Sequence, residues 1–367
     1  MNDLPSRVIE LAIQIQQIPA PTFSEGQRGE FVRGLFQQEG LKDVSMDSLG
    51  NVYGRLPSNS PSSLISNKPL VAVAHLDTVF PLKVNLQVRK EAGKVYGPGI
   101  GDNSLGVAAL FGLVWSIRER KVKLKNDLWL VADVGVEGLG DLRGMRGVVE
   151  RFDSHVTGYL IIEGLALGHV YYRAIGVRRY RITARTAGGH SWSDYGQPSA
   201  VHELAALVTQ LTSMTLPREP RTTLNVGTIS GGTGINVLAS EAICELDLRS
   251  EDSSLLVKIV SQAEDLIHSA NRSDVKINCE VIGQRPAGEI PVDHPLVKIA
   301  SDCSREQWLD AVLTAGSTDA NIPLNKGIPA VVMGVTTGGG AHSTQEFIDI
   351  EPVRKGLEGL VNFVSRV

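Results

Sequence analysis

Cysteine is scarce in this chain: Cys244, Cys279 and Cys303 are the only three among 367 residues. They are scattered, odd in number and lack metal-finger spacing, so a reducing cytoplasm is expected, with neither a disulfide framework nor a cysteine-bound zinc. No apolar run approaches a membrane span and no long basic run occurs, at a net charge of −4. Membrane surfaces and nucleic acid are therefore not expected as partners. The N-terminal "MNDLPSRVIELAIQIQQIPAP" carries an early acid and polar breaks in its apolar face. That predicts an amphipathic helix and not a signal peptide. The H-E-x-x-H of single-zinc proteases and the G-x-S-x-G of serine hydrolases are both missing. "GPGIG" has dinucleotide-type glycines without the full fingerprint or a clear acid about 20 residues on. There is no internal repeat, and the one low-complexity patch, "PSNSPSSLISN", reads as an exposed loop.

What is present is a soluble composition, 42% hydrophobic and 21% charged, in a chain too long for one small core. Two domains, or one large domain with an insertion, are expected. Helical patterns near 5–17, 24–39 and 104–119 alternate with buried-strand runs at 69–75, 127–134 and 158–164, the signature of an α/β sheet covered on both faces. After about Gly176 the pattern changes. A half-buried strand, a helix at 199–213, two strands, a second helix and a last strand give a β-α-β-β-α-β order, the ferredoxin-like arrangement. From about Arg285 the α/β style returns. The boundaries are 1–175 and 285–367 for a split α/β domain and 176–284 for the insertion.

Ligands of open α/β sheets bind beyond the carboxyl ends of the strands. Those ends read "AHLDTV", "ADVGVEG" and "IIEG", with "GPGIGDNSLG" before a helix and "TTGGGAHSTQEF" near the C-terminus. Five metal-ligand types, His75, Asp102, Glu137, Glu163 and His342, thus fall on loops at one sheet edge. Singly each has a plainer explanation: Glu163 as a salt-bridged strand end, Asp102 as a helix cap. Together they suit two divalent ions, most naturally zinc, sharing one carboxylate. Alternation along His75-Leu76-Asp77 turns Asp77 the same way as His75, where it would accept the free imidazole N–H and fix the tautomer.

The order and spacing of these five motifs resemble the co-catalytic zinc metallopeptidases that include peptidase T, aminoacylase, acetylornithine deacetylase, succinyl-diaminopimelate desuccinylase and bacterial glutamate carboxypeptidase. The resemblance spans essentially the whole chain. It implies a mixed-sheet catalytic domain with an inserted ferredoxin-like lid that often forms a homodimer. Asp102 would bridge two metals (zinc, with cobalt or manganese as alternatives), His75 and Glu163 completing one site, Glu137 and His342 the other. "GGHSW" places His190 at a lid position that steadies the oxyanion. "GGTGINV" and "ELDLRS" place Asn236 and Arg249 at substrate-facing positions, Arg249 suiting a carboxylate. Asp319 in "AGSTDANIP" falls beside the site as a supporting acid. The implied substrate is a small peptide or N-acyl amino acid, and the motif style is closest to peptidase-T-like aminopeptidases.

One position departs from the resemblance. Members usually carry two consecutive glutamates, the first the general base and the second a ligand. In "VGVEG" the acid before Gly-Leu-Gly-Asp aligns with the ligand, so Val136 stands at the base position. Valine exchanges no proton. Three readings follow: another base, with Glu346 or Asp133 as candidates; a disabled binder that keeps its metals; or an engineered inactivating substitution.

Overall fold

The computed structural model describes residues 3–59 and 68–367. Most of the low-complexity patch at 57–67 lies outside the described residues. The chain divides into two compact units, one made of the residues up to Ala174 together with Glu289–Val367, the other Ile175–Gly288.

The larger unit is built on a mixed sheet. Its strands run in the order Lys42–Met46, Val52–Leu56, Leu128–Asp133, Leu70–His75, Gly158–Glu163, Ala330–Gly334 and His169–Ala174, with Val312–Gly316 also paired to the last. Leu70–His75 is parallel to both Leu128–Asp133 and Gly158–Glu163, and Ala330–Gly334 is parallel to Gly158–Glu163. Four neighbouring strands therefore end on the same edge. All six residues of Leu70–His75 are buried, as expected of a strand covered on both faces.

Helices Leu4–Gln16, Gly106–Glu119 and Val353–Arg366 pack on one another and into this core. Asp3 caps the first of them by accepting from Ser6 N–H, with Pro5 following in the first turn. The segment Ile100–Glu119 corrects one expectation. It is long and apolar enough to cross a membrane by length and composition. It lies mostly buried inside the fold, however, as the core helix of the larger unit.

The smaller unit is a four-stranded antiparallel sheet ordered Thr222–Gly231, Glu241–Ser250, Gly176–Arg185, Lys276–Arg285, with helices Ala200–Thr212 and Ser253–Ser269. Tyr180, Ile182, Leu246 and Leu248 meet Leu204, Leu207 and Ile259 in its core. Alternate residues carry the cross-strand pairs Arg179–Asp247 and Arg181–Glu245, so one face is apolar and the other charged.

Candidate metal centre

His75 and Glu163 are the last residues of their parallel strands, and Glu137 lies in the turn after Leu128–Asp133. Asp102 precedes helix Gly106–Glu119, where helical geometry is interrupted at Asp102 and Asn103. The topology brings all five sequence-predicted donors together in two groups, His75–Asp102–Glu163 and Asp102–Glu137–His342. Asp102 is common to both. Its Oδ1 stands 3.1 Å from His75 Nε2 and its Oδ2 3.1 Å from His342 Nε2. Glu163 lies 3.8 Å from the first ring and Glu137 3.5 Å from the second. Donors around one tetrahedral ion with bonds of about 2.0–2.2 Å stand about 3.3–3.6 Å apart. The observed spacings bracket that range, so the residues fit a pair of divalent ions sharing one carboxylate.

The surroundings hold these donors in place. His75 Nδ1 lies 3.0 Å from the main-chain oxygen of Asp77 and 3.5 Å from its carboxylate. The carboxylate thus stays within reach of the ring, as strand alternation predicts, with the carbonyl the nearer acceptor. The carboxylate of Asp77 also takes N–H bonds from Val136 (3.0 Å) and Glu137 (2.8 Å) and the hydroxyl of Thr22 (2.8 Å). Burial raises the Asp77 pKa, but His75 and these N–H groups outweigh it and hold the acid below its ordinary value. Asp77 thus pins the turn that carries both Val136 and Glu137. Asn51 pins the same turn from beyond, accepting from Val134 N–H and donating to Gly144 O.

Sequence reasoning missed two supports. Asn103 donates to Ile162 O and accepts from Gly164 N–H, both at 2.8 Å, gripping the chain on either side of Glu163. Gly164 is required by closeness, since an added Cβ would stand 2.1 Å from Gly101 O. The second is Arg28, buried and donating to Ile18 O, Leu76 O and Gln16 O beside the His75–Asp77 corner. Burial lowers its pKa to about 10 and the Asp77 charge opposes the fall. Nothing local in the sequence separates Arg28 from a surface helix residue.

Neither alternative base is placed for that task. Glu346 spends both carboxylate oxygens on backbone N–H groups of Gly99, Gly101 and Asp102. Asp133 is fully buried, and burial, then the neighbouring Asp319, push its pKa well above the carboxylate range. Val136 itself is buried in the main apolar core.

In the smaller unit, strand pairing sets His190 opposite Val237, next to Asn236. His190 Nδ1 accepts from the N–H groups of Trp192 and Ser193, which leaves its proton on Nε2 as an outward donor. Arg249 is not with them. It pairs in register with Val177, at the start of a strand whose other end leads to Gly189–His190. Its guanidinium already holds Asp247, at 2.7 and 3.1 Å. Two of its five N–H groups are thus held by Asp247, and the side chain stays partly exposed.

The donor groups set a testable pH dependence. In the metal-free chain, hydrogen bonds to Asp102 and Glu137 push His342 up to about 10, and burial pushes Glu163 up to about 8. A raised folded pKa stabilises fully below the ordinary value (6.5 for His342, 4.5 for Glu163), and that stability is lost as pH rises through 10 and 8. The metal-free melting temperature should therefore fall between pH 4.5 and about 10. Ions bind the deprotonated donors, so the rise in Tm on adding zinc should grow over the same window. Scanning fluorimetry across pH, with and without zinc, reads both trends; a zinc effect that shrinks as pH rises would contradict them.

Two histidine–carboxylate groups sharing Asp102 lie at the strand ends of a mixed sheet, a donor set that suits a metal-dependent hydrolase. The sequence profile of "Peptidase family M20/M25/M40" matches residues 71–366, and the chain belongs to that family. A peptidase M20 domain-containing protein of Schizosaccharomyces pombe is 26% identical, over 97% of this chain and 84% of its own length. A tripeptidase from Staphylococcus aureus superposes with a TM-score of 0.83 over 99% of both chains at 23% identity. A dinuclear metal-binding M20 peptidase of Bacillus subtilis superposes at 0.69, covering 99% of this chain and 98% of that one at 15% identity.

Proposed function

We propose that this chain hydrolyses peptide or N-acyl-amino-acid amide bonds with two divalent ions, zinc in the first place, as a peptidase-T-like enzyme acting on di- or tripeptides. The single observation that carries the reading is the Asp102 carboxylate, one oxygen toward each histidine at 3.1 Å. The tripeptidase-like fold supports the substrate class. When bound, the ions supply Lewis acidity at the scissile carbonyl and acidify water. His75 and Glu163 hold one side of the shared carboxylate, Glu137 and His342 the other, and Asp77 keeps the Glu137 turn in place. The resemblance implies an oxyanion-steadying role for His190 and a substrate-facing one for its neighbour Asn236. Val136 moves no proton, so the rate is low. The free cysteines and the family resemblance support a cytoplasmic enzyme that pairs through residues 175–288.

A second reading is favoured by Val136 alone: a metal- and ligand-binding protein that no longer turns over. One experiment tests both. Purified chain should hold about two divalent ions by metal analysis and cleave members of a panel of di- and tripeptides and N-acyl amino acids under zinc, cobalt or manganese. Two ions with binding but no cleavage selects the second reading; no bound metal removes both.

A further inference from the structure

The two donor groups are held in physically different ways. His75 and Glu163 end buried strands bonded side by side in the sheet, and Asn103 grips both flanks of Glu163. His342 stands on an exposed segment, with 56% of its side chain accessible. The bonds within that segment are local turns, Ser343 N–H and hydroxyl both to Gly340 O. Glu346, four residues on, is fully buried. Its Oε1 accepts from Gly101 N–H (2.7 Å) and Asp102 N–H (2.8 Å), and its Oε2 from Gly99 N–H (3.0 Å). Its main-chain oxygen accepts from Gly97 N–H at 2.9 Å, and its own N–H donates to Ser343 O at 3.1 Å. The next residues, Phe347–Asp349, pair with Lys94–Tyr96.

One residue therefore joins the turn that delivers Asp102 to the segment that delivers His342. Three fixed N–H donors on one buried carboxyl group form an anchor. On the other side Asp102 is followed directly by Asn103, which is anchored on the Glu163 strand. Loosening Glu346 frees the His342 side of the site and leaves the His75–Glu163 side bonded.

We propose that Glu346 is a positioning residue that sets the affinity of the Asp102–Glu137–His342 metal position, so that two ions bind in steps of unequal strength, the weaker governed by Glu346. This rests on the dinuclear reading above. Glu346→Gln is the informative change. It keeps the size, and its amide oxygen can still accept from Gly101 and Asp102, but its NH2 faces the third donor. Glu346→Asp keeps the carboxyl group at shorter reach and carries the test should the glutamine variant not fold, which circular dichroism melting of the metal-free chains reports.

Metal-stripped full-length chains would be titrated with zinc alone by calorimetry and with cobalt by visible absorption. Unaltered chain should show two steps; in Glu346→Gln the weaker should lose about 10–100-fold in affinity while the tighter holds, with Glu346→Asp in between. Equal weakening of both steps, or a titration like that of the unaltered chain, overturns this proposal and leaves the dinuclear site standing. An unaltered chain that binds no metal overturns both.

Discussion

Val136→Glu is expected to raise amide hydrolysis by about 10²–10⁴-fold on any substrate the site binds, the usual worth of general acid–base catalysis. The place of Val136 beside the donor Glu137 is fixed through the main chain. Its N–H is fixed by Asp77 Oδ1, and the next residue, the donor Glu137, is fixed by Asp77 Oδ2. Asp133 and Glu346 are not placed to substitute, the first because it is fully buried and the second because its oxygens are spent on backbone donors. The gain has an opposing cost. Val136 is only 4% exposed and packs in the core, so a carboxylate that fails to reach the site would be buried unpaired, at about 3–5 kcal/mol. Val136→Gln separates the effects, having similar size and no base, and should gain no rate. Values of kcat/KM for the metal-loaded variants read the result. An unchanged rate for Val136→Glu, in protein that binds both ions and the substrate, would refute the base assignment.

Asp102→Ala is expected to remove both ions, whereas His342→Ala should leave about one. Asp102 is the one donor common to both groups, and each of its oxygens serves one histidine. Without it each position keeps one imidazole and one carboxylate, too few for a site that ordinarily takes three protein ligands. Metal content per chain should fall from about two to near zero, and hydrolysis with it. The stabilisation that bound metal gives the fold should vanish in the same variant, since a ligand stabilises only through the sites it fills. Retention of two ions by Asp102→Ala would show that the groups do not share this carboxylate.

These expectations could be framed largely because the donors were legible. His75, Glu137 and Glu163 each follow a continuous apolar run, and such runs in parallel strands end on one edge. Alternation and helical period likewise placed the segment 176–284 close to the unit observed at Ile175–Gly288. What was not legible lay in contacts between residues far apart in sequence. Asp77 is assigned by strand alternation to His75, yet its carboxylate also serves a turn some sixty positions on. That Arg249 shares its guanidinium with Asp247 is likewise seen only in the folded chain. Glu346 and Asn103 look like ordinary polar residues because their partners are backbone groups, which leave no mark in a sequence.

The sequence by itself determined the class of fold and singled out the five residues that the structure gathers into two groups, because apolar periodicity and loop placement are properties of short stretches of chain. Only the tertiary structure decided that Asp102 faces both histidines, that Asp77 holds the Glu137 turn and that Glu346 ties two distant loops together. Those outcomes depend on which backbone N–H groups are left over at a sheet edge, and that is fixed only when the strands have found their order.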